Sequence, residues 1–141
     1  MKKLFRLVVV ALAGAVALGA ARPGWAEWDP VRFAAEDTLE LLTVSATEGE
    51  HWFPVWLVVV DGQLFVRLGT RAANRVEGNT RAPILSVRVA GEEFAAVHGE
   101  PAPDMAERVA QAMAEKYTTD ILIRHFAHPL TLRLIPQSPP G

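Results

Sequence analysis

Residues 54–67 read Pro54-Val55-Trp56-Leu57-Val58-Val59-Val60-Asp61-Gly62-Gln63-Leu64-Phe65-Val66-Arg67. The run from Phe53 to Val60 is continuously apolar, the pattern of a strand buried on both faces. Asp61-Gly62 is the strongest short hairpin signal in the chain, because the two-residue turn that joins twisted strands needs positive φ at both positions. Gln63 to Leu68 is the returning strand, with Leu64 and Val66 facing opposite to Phe65 and Arg67. An antiparallel hairpin with so little polar surface must be covered on both sides, and this requirement sets the reading of its neighbours.

Upstream, Asp29-Pro30 has the form of an N-cap followed by proline at the first helical position, predicting a short helix over residues 30–36. Thr38 to Ala46 reads as a strand with Leu39, Leu41 and Val44 as its apolar positions, turned by Glu48-Gly49-Glu50. Downstream, Gly69 to Ala82 is a polar loop or short helix. Pro83 to Val89 and Glu92 to His98 form a second hairpin around Ala90-Gly91. Pro101-Ala102-Pro103 is a stiff connector. Asp104 and Glu107 then have the spacing of a capping box. Ala106, Val109, Ala110, Met113 and Tyr117 follow on one helical face. Leu130 to Ile135 alternates as a closing strand. Six strands in hairpins with one or two helices predict a mainly β fold, a small antiparallel six-stranded barrel, which also removes the exposed edges of such apolar strands.

Half of the 141 residues are hydrophobic and 21% are charged, a composition too apolar for a disordered chain. Cysteine is absent, which excludes a disulfide scaffold, a thiolate metal site and a cysteine nucleophile. Residues 1–26 have a basic start (Lys2, Lys3, Arg6), an apolar run from Leu7 to Ala21, and Gly24-Trp25-Ala26 as small–large–small before a cut. That is the pattern of a secretory signal peptide, and the run is too short for a membrane span. The expected organisation is a signal peptide over 1–26, a barrel domain over 27–136 and a disordered tail over 137–141, in a periplasmic or secreted protein. Four of the 14 basic residues and none of the 16 acidic ones fall in 1–26, so the remainder carries a net charge of −6. An acidic body of this size argues against broad nucleic-acid binding.

Against that background Arg67, Arg71, Arg75, Arg81 and Arg88 form a local positive field opposed in their window only by Glu77. If residues 70–76 are helical, Arg71 and Arg75 project from one face. Thr70 and Asn74 stand beside them. Guanidinium forks with a hydroxyl are suited to holding a phosphate, although arginines on a solvated loop paired with surface acids would show the same spacing.

The hairpin over 54–67, the loop with Thr70, Arg71 and Arg75, the strand pair around Gly91, the helix ending Lys116-Tyr117 and the strand Thr131-Leu132-Arg133-Leu134 together resemble the pyridoxamine 5′-phosphate oxidase-like split barrels, in a poorly characterised branch. The resemblance spans roughly residues 38–136. It implies a homodimer that binds FMN or a deazaflavin across the subunit interface, with a redox role. Arg67, Thr70, Arg71 and Arg75 would be the phosphate residues, and Trp56 and Val58 would lie along the ring. The loop lacks the Ser-x-Lys-like pair of many flavin binders, and Lys116 is the only lysine after residue 26. A non-enzymatic binding or interaction module on the same fold therefore stands as an alternative.

His125 and His128 form His-x-x-His, a weak metal or haem pair with no third ligand at ordered spacing. Haem binding is the third reading. Trp28 and Trp52 fit core or interface positions. Ser45, Ser86 and Ser138 lie in no Gly-x-Ser-x-Gly context, Glu92 and Glu93 face opposite ways on a strand, and no glycine-rich phosphate loop is present.

Overall fold

The computed structural model describes residues 27–117 and 129–137. The expected signal peptide, the end of the expected tail, and both His125 and His128 lie outside the described residues.

The first element, α1 (Pro30–Phe33), is shorter than its expected span, and Asp29 caps it by accepting from the Arg32 N–H. Two strands follow, β1 (Thr38–Ser45) and β2 (Gly49–Val60). The Asp61-Gly62 turn, with φ of 54° and 75°, leads into β3 (Gln63–Leu68). Helix α2 (Thr70–Glu77) comes next. The second hairpin is β4 (Ile84–Val89) and β5 (Glu92–Pro101), joined at Ala90-Gly91 with φ of 54° and 77°. Both turns have the paired positive φ that suits twisted two-residue hairpins. A 3₁₀ turn (Pro103–Met105) enters α3 (Ala106–Lys116), and β6 (Leu130–Pro136) closes the fold. The backbone ladder continues one residue further, where the Gln137 N–H donates to the Ala96 carbonyl at 3.0 Å.

The capping role expected of Asp104 is not observed. Asp104 lies inside the 3₁₀ turn, Met105 occupies the N-cap, and no side chain caps α3. Pro103 explains the shift, because its fixed φ starts the helical turn one residue before an aspartate cap could form.

The six strands close into a barrel in the order β1-β2-β3-β6-β5-β4, every neighbouring pair antiparallel. Alternation sends Leu39, Leu41, Leu57, Leu64, Val66, Val87, Leu132 and Leu134 inward to one core. A bulge on β5 shifts its register against β4 between Leu85 and Val87. The Ala95 carbonyl in that bulge accepts from Ser86 Oγ at 2.9 Å and from Arg81 at 3.3 Å, so the irregular backbone is satisfied.

Expected burial on both faces of residues 53–60 holds only near the end of β2. Leu57 is buried in the barrel core and Val58 beneath α3, whereas Pro54 is exposed and Val55 and Trp56 are half-buried. The outer face is covered only where α3 reaches it. There Val109, Met113 and Tyr117 pack on Val58 and Phe65, the helical face anticipated from spacing. One end of the barrel is plugged by Phe33, whose ring meets Trp28 and Phe94 edge-on at 5.4 and 5.8 Å. At the other end lies α2.

Candidate functional site

The polypeptide leaves β3 at Gly69, an extended N-cap with no side-chain hydrogen bond, and enters α2 with Thr70 and Arg71 and no acid in its first turn. Ala73 is buried against the barrel core, with Ala72 and Val76 packed beside it. The opposite face therefore presents Thr70, Arg71, Asn74 and Arg75, as i,i+4 spacing requires. Arg71 and Arg75 are brought to one side of the helix, as the sequence predicts.

Facing them is the inner side of the β1–β2 hairpin. Thr43 and His51 are register partners, and Ser45 pairs with Gly49. These residues, the hairpin tip Thr47-Glu48, and Thr70, Arg71, Asn74, Arg75 and Gly78 of the α2 side line a cleft of about 560 Å³. No aliphatic or aromatic hydrocarbon side chain lines it.

Arg75 Nη1 donates to Glu48 Oε1 at 3.0 Å across the rim, and its guanidinium lies 5.9 Å from the Phe53 ring centroid. With both partners partly exposed, this pair contributes about 0–1 kcal/mol. Arg71 is exposed and has no carboxylate partner among the described residues. The cleft therefore carries one compensated and one uncompensated guanidinium.

Thr43 is 3% exposed, and among the described residues its hydroxyl has no hydrogen-bond partner. Of the other three buried polar side chains, Asn79 and Ser86 are satisfied, whereas Thr131 on β6, outside the cleft lining, likewise has no side-chain hydrogen bond among the described residues. Asn79 accepts from the Val44 and Arg81 N–H groups and donates to the Ile84 carbonyl, and Ser86 donates to Ala95. Leaving a buried hydroxyl unpaired costs roughly 1–3 kcal/mol. Thr43 also lines the cleft, so a hydrogen-bonding group from outside the chain that reached its hydroxyl would find it without a partner among the described residues.

The six residues assigned to cofactor binding do not form one site within a single chain. Thr70, Arg71 and Arg75 share the cleft. Val58 lies on the outer face of β2 and is closed over by α3. Trp56 lies on the same outer face, with one side of its ring stacked on Tyr117 at 4.1 Å and 7°. Arg67 alternates outward with Phe65 on β3 and pairs in register with Thr131. Strand alternation separates the two sets: inward positions of β1 and β2 reach the mouth, and outward positions of β2 and β3 reach the wall.

The remaining arginines disperse. Arg81 reaches the β5 bulge, and Arg88 lies 3.7 Å over Trp52 with Glu40 and Glu93 beside it. Among the described residues no three metal-capable side chains cluster. Thr43, Ser45 and His51 are absent from the sequence-based assignment. The signal for the first two was present, since the Leu39–Leu41 alternation continued forward places Thr43 and Ser45 inward, where a sealed core would have apolar residues. Val44, expected among the apolar positions of that strand, falls on the other face and is only half-buried.

The α3 side is built differently. Lys116 Nζ donates to the carbonyls of Glu36 and Leu57 at 2.6 and 3.0 Å. The Tyr117 hydroxyl accepts from the Leu57 N–H at 3.2 Å and shares its proton between the carbonyls of Asp37 and Leu57, at 2.7 and 3.0 Å. Burial pushes Lys116 below the ordinary lysine range and Tyr117 above the ordinary tyrosine range. Every polar group named here is partnered, so the pair fastens α3 to β2 and to the residues before β1.

No protein-family model and no curated protein sequence matches the chain. Solved structures do share the fold. A protein described as a domain-swapped dimer is similar with a TM-score of 0.54 at 12% identity, covering 71% of this chain and 80% of the other. HutZ, the haem storage protein of Vibrio cholerae, is similar with a TM-score of 0.56 at 20% identity, covering 77% of this chain and 88% of HutZ. With these structures the chain shares a six-stranded antiparallel barrel of the split-barrel type. Among the described residues no helix is long and apolar enough to cross a membrane.

Proposed function

We propose that this is an exported split-barrel protein that binds a phosphate-bearing cofactor of the flavin type, held by its phosphate at the mouth of the barrel. The observation that carries the reading is the convergence of Thr70, Arg71, Asn74 and Arg75 on one cleft, with the Arg71 guanidinium lacking a carboxylate partner among the described residues. A guanidinium fork and hydroxyls are the donor set a phosphate takes. The residues fit the phosphate more directly than the ring: no hydrocarbon side chain lines the cleft, and Val58 is closed over by α3. The surface of a second protomer is where the ring would find its cover, consistent with a homodimer. When bound, the flavin supplies the electron chemistry, and this chain supplies anchoring and orientation. Residues 1–26, read as an address, have the cofactor acquired outside the cytoplasm.

The test is retention of FMN by the purified protein after desalting, compared with Arg71→Ala and with Arg71→Ala/Arg75→Ala. Removing Arg71 is expected to weaken FMN binding at least about tenfold, the worth of one charge-assisted hydrogen bond. Unchanged retention in the double variant would sink the phosphate assignment.

Haem is the second reading, favoured by the likeness to a haem storage protein and by the His125-x-x-His128 pair. No hydrocarbon side chain lines the cleft to face a porphyrin, so this reading places haem elsewhere. A Soret band after incubation with haemin that disappears on replacing both histidines would support it. A protein that stays colourless with FMN and with haemin would leave the non-enzymatic binding module as the reading.

A further inference from the structure

We infer that the cleft under α2 takes a hydroxyl-bearing phosphate monoester, a sugar or polyol phosphate, with the Thr43 hydroxyl hydrogen-bonded to one of its hydroxyl groups. This rests on the reading above for the anion. It adds the chemistry of the group beside the phosphate and the residue that recognises it.

Two observations beyond the arginines lead here. The first is Thr43, buried on the floor with its hydroxyl unpartnered among the described residues. The second is the lining, where Ser45, His51, Thr70 and Asn74 surround that floor and no hydrocarbon side chain is present. Hydroxyl, imidazole and amide groups both donate and accept. A bare phosphate accepts hydrogen bonds and is served by Arg71, Arg75 and Thr70. A chain carrying hydroxyls both donates and accepts, and is served by the floor. A volume of about 560 Å³ accommodates both parts of one small molecule. The same chemistry belongs to the polyol phosphate arm of a flavin mononucleotide and to a free sugar phosphate.

Calorimetric titration of the purified protein with FMN, riboflavin, ribose 5-phosphate and inorganic phosphate separates these sources. Thr43→Val keeps the shape and removes the hydroxyl; Thr43→Ser keeps the hydroxyl. Thr43→Val is expected to weaken ribose 5-phosphate or FMN about tenfold, with Thr43→Ser restoring most of it and inorganic phosphate unaffected. Without any probe, the thermal midpoint of Thr43→Val should be unchanged or higher, because the hydroxyl it removes has no partner in the folded chain. Binding of ribose 5-phosphate and FMN alike identifies the polyol phosphate itself as the ligand. Binding of FMN alone identifies the arm of the cofactor.

Equal affinities in Thr43→Val, or a lowered midpoint, would overturn the inference. If Arg71→Ala weakens binding and Thr43→Val does not, the inference falls and the phosphate reading stands. If Thr43→Val weakens binding and Arg71→Ala does not, the phosphate is misassigned and the inferred monoester falls with it. Absence of binding by both esters overturns the two together.

Discussion

Besides the short α1, helices α2 and α3 pack on this barrel, and they serve opposite ends of the same problem. Helix α3 lies on the outer wall over Val58 and Phe65, and the polar atoms named at its C-terminal end, Lys116 Nζ and the Tyr117 hydroxyl, meet backbone partners. Helix α2 lies across one mouth, buries only Ala73 fully, and leaves Arg71 without a carboxylate and the Thr43 hydroxyl without a hydrogen bond among the described residues. The first contact is finished within the chain. The second has hydrogen-bonding capacity left over, and unspent capacity in a concave polar site is where a ligand gains affinity. Strength of local burial and readiness to bind are therefore separated in space, so substitutions on the two helices should fall into different experimental classes.

The sharpest break of this contrast would come from the wall. Phe65→Ala removes a fully buried ring under α3 and is expected to cost about 3–5 kcal/mol in denaturant unfolding. FMN affinity per folded molecule should hold. A loss below 1 kcal/mol would mean that α3 is not the anchoring element. Next comes the mouth: Arg71→Ala should cost about 1.5–3 kcal/mol in FMN binding while unfolding shifts by no more than about 0.5 kcal/mol. The reverse pattern, stability lost and binding kept, would erase the distinction between the two helices.

A smaller effect belongs to Tyr117→Phe. It keeps the ring stacked on Trp56 and orphans the Leu57 N–H and Asp37 carbonyl, at a cost of about 1–2 kcal/mol by unfolding. An unchanged unfolding midpoint would show that water replaces the hydroxyl.

The smallest effect concerns pH. Burial holds Lys116 below the ordinary lysine range. Between that lowered pKa and the ordinary one the unfolded chain binds the extra proton, so folding gains as pH rises through the window, and below it the burial penalty is fully present. The stability of the natural chain relative to Lys116→Met should thus improve from neutral toward alkaline pH. Tyr117, raised by burial, acts in the opposite sense only above the ordinary tyrosine range. A pH-independent difference between the two proteins would show that Lys116 is not desolvated.

Much of the fold was legible because its signals are local. Asp61-Gly62 and Ala90-Gly91 mark turns by their own φ preferences, and Val109, Met113 and Tyr117 mark a helix face by spacing alone. The capping role of Asp104 failed for a local reason as well, since Pro103 had already begun the turn. The site was legible only in part. Arg71 and Arg75 are one helical turn apart, so their convergence follows from the helix. Trp56 and Val58 join them only through the resemblance to the flavin-binding split barrels, and alternation turns these two residues to the outer wall.

What the chain determined by itself is the set of strands, their hairpin pairing and the amphipathic faces of the helices, because backbone propensity and apolar periodicity act over a few residues. Closure of the barrel decided the rest. It set Thr43 on β1 and His51 on β2 across from a helix some 20 to 30 residues further along, and it left one hydroxyl buried there without a partner among the described residues. Such a placement depends on where distant segments meet, and that is a property of packing in three dimensions, which no short stretch of sequence encodes.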